Sequence, residues 1–147
     1  IDIKQLAFNI VTSGCDVTET YLYDSDASSQ LTTTKVNPTG NATSGNVSLI
    51  IGAVNDNVET IGATARIYEV RGTVTSFTKN TDTVNVSFKQ DIAAGSTLGA
   101  NTVGADMTYT ADEGNIWSDR SASAHTTATS DWTNGYLLKD MSASQSF

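Results

Sequence analysis

The sequence predicts an all-β protein, an antiparallel β-sandwich or barrel. Helical periodicity is nearly absent, because no window of about 11 residues keeps apolar residues at positions i, i+3, i+4 and i+7. Alternating apolar and polar residues predict roughly eight or nine short strands, and clusters of Gly, Asn and Asp separate them every 8 to 12 residues or so. With 147 residues and no internal repeat or linker, residues 1–147 form one predicted domain.

Two neighbouring segments carry the clearest strand signal. Apolar and polar residues alternate along 64–77 and again along 82–90. The polar residues 78–82 between them predict a turn, so that the two segments form an antiparallel hairpin. Glu69 and Arg71 share the outer face of this hairpin and are expected to form a solvated ion pair.

Residues 1–11 predict a strand with one irregularity. Its apolar residues fall into two opposite phases of the alternation, with Ile1 and Ile3 in one and Leu6, Phe8 and Ile10 in the other. A one-residue slip at Lys4-Gln5, which is what a β-bulge provides, reconciles the two phases. The remaining predicted strands are 17–23, about 30–36, 46–54, 106–110, 115–118 and 135–140.

Charge excludes two classes of partner. The net charge is −8, which argues against nucleic acid and against an anionic membrane surface. The longest apolar run, 49–54, is far shorter than the roughly 20 residues of a membrane-spanning helix. Charged residues make up only 16% of the chain, and abundant Ser and Thr favour an extracellular surface. No leader pattern begins at Ile1, so we expect any signal peptide to have been removed already.

Modification sites are few. Cys15 is the single cysteine, which excludes an intrachain disulfide. We expect it to be a small buried residue beside the turn Ser13-Gly14, with a reactive thiol or an interchain crosslink as alternatives. Candidate glycosylation sites of the Asn-X-Ser/Thr type are Asn41, Asn46 and Asn85.

Residues typical of catalysis are sparse. His125 is the only histidine, so no histidine-based zinc site is expected, and no Gly-x-Ser-x-Gly motif accompanies it. We expect a solvated histidine on the long surface loop 118–130, which Trp132 closes. The chain is therefore predicted not to be an enzyme and to need no cofactor.

Carboxylates and aromatic residues leave two alternatives open. Calcium has candidate ligands in Asp24 with Asp26, or in Asp112 and Glu113 with Asp119, although turn-forming Asp is the preferred interpretation. A sugar-stacking platform is the alternative to core packing for the late aromatic residues, which are Tyr109, Trp117, Trp132 and Tyr136.

Residues 116–139 carry a resemblance. With IWSD at 116–119 and DWTNGYLLK at 131–139, they resemble the closing segment of β-sandwich domains in large surface proteins of ultrasmall, candidate-phyla bacteria. Residues 3–10 and 69–74 are similar to earlier strands of that module. The resemblance implies an immunoglobulin-like module on a cell surface, with no catalytic residue. It also implies structural corner positions, which are Trp117, Asp131, Trp132 and Tyr136.

These observations predict a non-enzymatic extracellular building block of a surface fibre, pilus-like filament or surface layer, whose partners are copies of itself or neighbouring domains. The predicted assembly strand is 1–11, which a subunit lends to its neighbour by donor-strand exchange. Its apolar residues are Ile1, Ile3, Leu6, Phe8 and Ile10. An ordinary first strand of a monomer is the competing interpretation of this segment. A carbohydrate-binding or adhesin module is the alternative function.

Overall fold

The computed structural model describes residues 1–32, 35, 37–41, 44–50, 58–88, 115–126, 129, 131–134 and 145–146. Every helix or strand in this part of the chain is a β-strand, which confirms the all-β prediction. The strands are β1 (Asp2–Ser13), β2 (Asp16–Asp24), β3 (Ser29–Gln30), β4 (Thr39–Asn41), β5 (Ser44–Ile50), β6 (Glu59–Thr60), β7 (Tyr68–Thr75), β8 (Thr83–Phe88), β9 (Ile116–Ser118), β10 (Trp132–Asn134) and β11 (Gln145–Ser146).

The strands form two antiparallel sheets. The larger sheet has the order β10-β9-β1-β5-β4, with β6 and β8 also paired to β1 and β11 paired to β8. The smaller sheet has the order β3-β2-β7. The first two strands therefore belong to different sheets, although only a short turn separates them.

Strand β1 is the common partner of the larger sheet. Phe8 pairs with Val47 of β5 on one edge and with Phe88 of β8 on the other. Asp2 pairs in the same way with β6 and with β9. Strands β5 and β6 thus follow one edge of β1, and β8 and β9 follow the opposite edge.

The predicted bulge in β1 is confirmed. The register between β1 and β9 shifts between Ile3 and Gln5, so Lys4 is the extra residue. Because of this shift, the side chains of Ile3 and Phe8 face the same core, although the two residues have opposite phases in the apolar–polar alternation of the sequence.

The predicted hairpin of 64–77 with 82–90 is wrong. Strand β7 pairs with β2 in the smaller sheet, and β8 pairs with β1 in the larger sheet. The turn itself is present, since Asp82 N–H donates to the Lys79 carbonyl at 3.1 Å. Alternation identifies each strand but not its partner, and this loop crosses between sheets instead of reversing within one.

Residues from both sheets form the main core. Ile3, Phe8 and Ile10 of β1 pack with Val17 and Leu22 of β2, and all five are buried. Burying an aliphatic or aromatic side chain contributes about 1.5–3 kcal/mol to stability, so the packing of this cluster is the main interaction that holds the two sheets together. A second, smaller cluster is formed by Ile116 and Trp132.

Other strand predictions were partly right. Of the segment predicted at about 30–36, the described residues form a strand at β3 alone, and 46–54 corresponds to β5 as far as the described residues reach. The predicted strands 106–110 and 135–140 lie outside the described residues. Across the described ranges, no helix is long and apolar enough to traverse a bilayer.

Candidate functional site

The loop between β9 and β10 lies against the beginning of β1. Trp117 of β9 pairs with Ile3 of β1 and with Thr133 of β10, so the loop must return to this end of the sheet. The His125 side chain on this loop is only 10% exposed. The prediction of a solvated histidine is therefore wrong.

His125 bridges two buried carboxylates. Its Nδ1 lies 2.8 Å from Asp131 Oδ2, and its Nε2 lies 2.9 Å from Asp2 Oδ2. The side chains of both aspartates are less than 5% exposed. An imidazole can donate to both carboxylates at once only when both ring nitrogens carry protons. The arrangement therefore fits an imidazolium between two carboxylates.

Asp131 is held by several donors of its own loop and of β9. The Ser118 hydroxyl donates to its Oδ2 at 3.0 Å and the Ala122 N–H at 3.2 Å, and the Thr129 hydroxyl donates to its Oδ1. Burial raises the pKa of Asp131, but these hydrogen bonds and the His125 contact more than offset it and hold the pKa well below its usual range. Asp131 is thus a fixed negative charge behind His125.

Asp2 receives three donors from two other segments. The Thr60 hydroxyl donates to Asp2 Oδ1 at 2.7 Å, and Arg120 Nη1 lies 3.4 Å from the same oxygen. His125 occupies the other oxygen. One carboxylate at the start of β1 therefore ties β1 to β6 and to the β9–β10 loop.

Trp132 completes the cluster. Its side chain is buried, its Nε1–H donates to the Thr126 carbonyl at 2.9 Å, and its ring centroid lies 5.5 Å from that of His125. Core packing is therefore confirmed for Trp132, whereas Trp117 is half-buried. Tyr109 and Tyr136 lie outside the described residues.

The cluster is chemically closed. Both nitrogens of the only histidine in the sequence face carboxylates, so neither has a free position for proton transfer to a substrate. Within the described ranges, no group of three or more His, Cys, Asp or Glu side chains is arranged to hold a metal ion. The arrangement is suited to fastening segments together.

A third buried carboxylate lies at the β2–β3 turn. Asp24 Oδ1 accepts the N–H groups of Asp26 at 2.8 Å and Ala27 at 2.9 Å, and Asp24 Oδ2 lies 2.8 Å from Arg66 Nη1. The Ala27 hydrogen bond lowers the pKa of Asp24 most, and the bonds from Asp26 and Arg66 add to it against the effect of burial. Turn formation is thus confirmed for Asp24.

The other calcium candidates are placed only in part. Asp119 Oδ1 accepts the Ser121 N–H at 2.9 Å, which is again a turn-forming contact. Asp112 and Glu113 lie outside the described residues.

Cys15 is buried at 2% exposure, and its thiol lies 3.5 Å from the Thr83 carbonyl. Its predicted burial is confirmed. Among the candidate glycosylation sites, Asn41 is the last residue of β4 and pairs with Ser44 of β5. Asn46 and Asn85 pair with strands on both sides, in β5 and β8 respectively.

An open apolar groove of about 420 Å³ runs between the two sheets. Valine and isoleucine side chains form most of its walls, with Arg71 and Tyr21 as the polar contributors. Arg71 pairs with Glu69 at 2.8 Å, both about 40–45% exposed, which confirms the predicted solvated pair. Among the described residues that line this groove there is no acid–base pair, in contrast to the cluster around His125.

No protein-family model matches the chain, and neither a curated protein nor a solved structure matches it.

Proposed function

We propose that the protein is a non-enzymatic extracellular structural module with an immunoglobulin-like sandwich architecture. It serves as a building block of a cell-surface fibre, pilus-like filament or surface layer, and copies join by exchanging β1. One observation carries this proposal: β1 pairs with four strands of the larger sheet, while its neighbour in the chain, β2, pairs only within the smaller sheet among the described residues. Exchange of β1 therefore breaks no β1–β2 ladder.

After exchange, β1 makes the same contacts with a second copy that it otherwise makes within its own chain. Every strand that pairs with β1 follows it in the chain, so a β1 from a second copy meets the same partners in the same register. Such an exchange of identical elements is an inexpensive route to assembly. The hinge is the short turn at Gly14, whose φ of +77° lies in the left-handed region.

The position of β1 in the larger sheet must be filled. Ile3, Phe8 and Ile10 are buried at 9% exposure or less, and without them both β5 and β8 present unpaired edges beside an open core. A strand from the same chain or from a neighbour satisfies these groups equally well. Copies therefore assemble when the turn at Gly14 directs β1 into the sheet of a neighbouring copy and not back into its own sheet.

The chemistry of the module supports a structural role. Its single histidine is engaged by Asp2 and Asp131, which favours a fastening over a catalytic function. Low charge density and many hydroxyl side chains favour close packing of copies on an extracellular surface. Among the aromatic residues of the carbohydrate-binding alternative, Trp132 is buried, and its burial leaves no face for a sugar ring.

Engineered cysteines on β1 and β8 test the exchange in the folded full-length protein. Asn9 and Ser87 are register partners, so the pair Asn9→Cys and Ser87→Cys forms a disulfide within one chain if β1 is closed and between chains if it is exchanged. We expect a ladder of covalent oligomers on a non-reducing denaturing gel, and filaments or sheets in negative-stain images.

The matched control pair is Thr18→Cys and Thr73→Cys, partners within the smaller sheet. It is expected to give only a closed monomer. Monomers alone from the Asn9/Ser87 pair, together with monomeric light scattering of the unmodified chain at all concentrations, would show that the proposal is wrong.

A further inference from the structure

We infer that Thr60, Arg120 and His125 form a receptor pocket for the Asp2 carboxylate of a second copy's β1, and that this pocket fixes the register of strand exchange. This inference rests on the proposed function, because it assigns the site at which the incoming strand is recognised. These three residues together form what we call the register pocket.

The register pocket is built entirely outside β1. Thr60 lies on β6 and donates at 2.7 Å, while Arg120 and His125 lie on the β9–β10 loop at 3.4 Å and 2.9 Å from Asp2. When β1 leaves, all three donors stay behind. A hydroxyl, a guanidinium and an imidazole converging on one point select a carboxylate, because hydrogen bonds that involve charged groups are the strong ones.

Asp131 keeps the pocket in shape without the strand. It holds His125 Nδ1 at 2.8 Å from the side opposite Asp2, and it is itself fixed by the Ser118 hydroxyl and the Ala122 N–H. All of these groups also lie outside β1. The His125 side chain is therefore held in place before a strand arrives, which reduces the entropy lost on binding.

The register pocket distinguishes between registers that the apolar pattern does not separate. A slip of two residues keeps Leu6, Phe8 and Ile10 on the same face, because side chains alternate with a period of two. The same slip brings Lys4 to the position of Asp2. A lysine ammonium there faces Arg120 and His125, and like charges in contact disfavour that register. The charge at Asp2 therefore disfavours this two-residue slip.

A pair of peptides that differ at one residue tests the inference on the full-length chain. A fluorescent peptide of residues 1–13 is compared with the same peptide carrying Asp2→Asn. Incorporation into the full chain is measured by fluorescence anisotropy and size-exclusion chromatography. We expect the native peptide to be incorporated with at least about tenfold higher affinity, since the variant loses the charge-assisted carboxylate contact.

Acceptor variants locate the effect in the pocket. His125→Gln in the full chain is expected to reduce the preference for the native peptide severalfold, whereas Arg71→Gln on the smaller sheet leaves it unchanged. The peptide comparison does not require any acceptor variant to fold, since the unmodified chain is the acceptor.

The outcomes separate the two proposals. Equal incorporation of both peptides overturns the register pocket and leaves strand exchange standing. If neither peptide is incorporated and the Asn9/Ser87 cysteine pair stays within one chain, strand exchange fails and the pocket fails with it.

Discussion

His125 Nε2 lies 2.9 Å from Asp2 Oδ2, and this contact joins residues 123 positions apart in the sequence. It ties the beginning of β1 to the loop between β9 and β10. Asp131 contacts the other ring nitrogen of His125, so the imidazole links two carboxylates without a covalent bond. The chain has a single cysteine, which excludes an intrachain disulfide.

The first prediction concerns the energy of this fastening. Asp2→Asn and His125→Gln are each expected to lower the free energy of unfolding by about 2–4 kcal/mol, because each leaves a buried charged partner without its counterpart. The double variant is expected to lose less than the sum of the two. Urea denaturation of the four chains measures this coupling. Strictly additive losses would contradict it, and Arg71→Gln at the exposed Glu69 pair serves as the control, with a much smaller loss.

The second prediction concerns acid stability. The pKa of Asp131 is lowered from 3.8 in the folded chain, so the unfolded chain binds its proton first as the pH falls. The stabilisation from Asp131 is therefore complete above about pH 4 and is lost progressively below it. Asp131→Asn should unfold more easily at pH 7 and show a flatter loss of stability between pH 4 and 2, measured by circular dichroism.

Ser118→Ala provides the intermediate case for the same carboxyl. It removes one donor to Asp131 Oδ2, so the pKa of Asp131 in the folded chain is lowered less, and the acid-induced loss of stability is expected to be smaller and to be complete at a higher pH than in the unmodified chain. An identical acid transition in all three chains would show that Asp131 does not govern it.

The third prediction concerns the hinge turn. Gly14 has a φ of +77°, and a Cβ added there would lie 2.1 Å from Asp82 Oδ1. The Asp82 carboxylate also accepts the N–H groups of Thr78 and Lys79, so it is not free to move away. Gly14→Ala is expected to cost about 1–3 kcal/mol. Gly62→Ala is the control, since nothing lies within 4 Å of a Cβ there, and equal melting temperatures of the two variants would contradict the prediction.

The fourth prediction concerns the thiol of Cys15. Because it is 2% exposed, it is expected to react with an aromatic disulfide reagent far more slowly in the native chain than in urea. The release of the coloured thiol, followed by absorbance, measures both rates. Fast reaction in the native chain, or covalent dimers without a reducing agent, would restore the crosslinking interpretation of Cys15.

Features contained within one strand were predictable from the sequence. The bulge at Lys4-Gln5 is visible because Ile3 and Phe8 belong to one core yet occupy opposite phases of the alternation. The turn before β8 was also predictable, because it is formed by polar residues that are close together in the sequence, among them Asp82. Pairing between strands was not predictable, because β7 and β8 alternate in the same way whether they join one sheet or two.

The cluster around His125 could not be recognised from spacing. Asp131 lies six residues from His125 and Asp2 lies 123 residues away, so no short motif joins the three. Aspartate is also common in turns throughout this chain, and a turn-forming role was correct for Asp24. The only local signal was that the lone histidine falls in the segment that resembles a module's closing strands, between Trp117 and Trp132.

The position of β1 between four later strands also has a kinetic consequence. Its last partner, β9, ends at Ser118, so the larger sheet cannot close until a chain of more than a hundred residues has looped back. Sheets dominated by such distant pairings form slowly. During that interval Ile3, Phe8 and Ile10 remain in water, and encounters with a neighbouring chain compete with self-closure. Under the proposed strand exchange, slow folding and a high local concentration of nascent chains would both favour linked molecules over monomers.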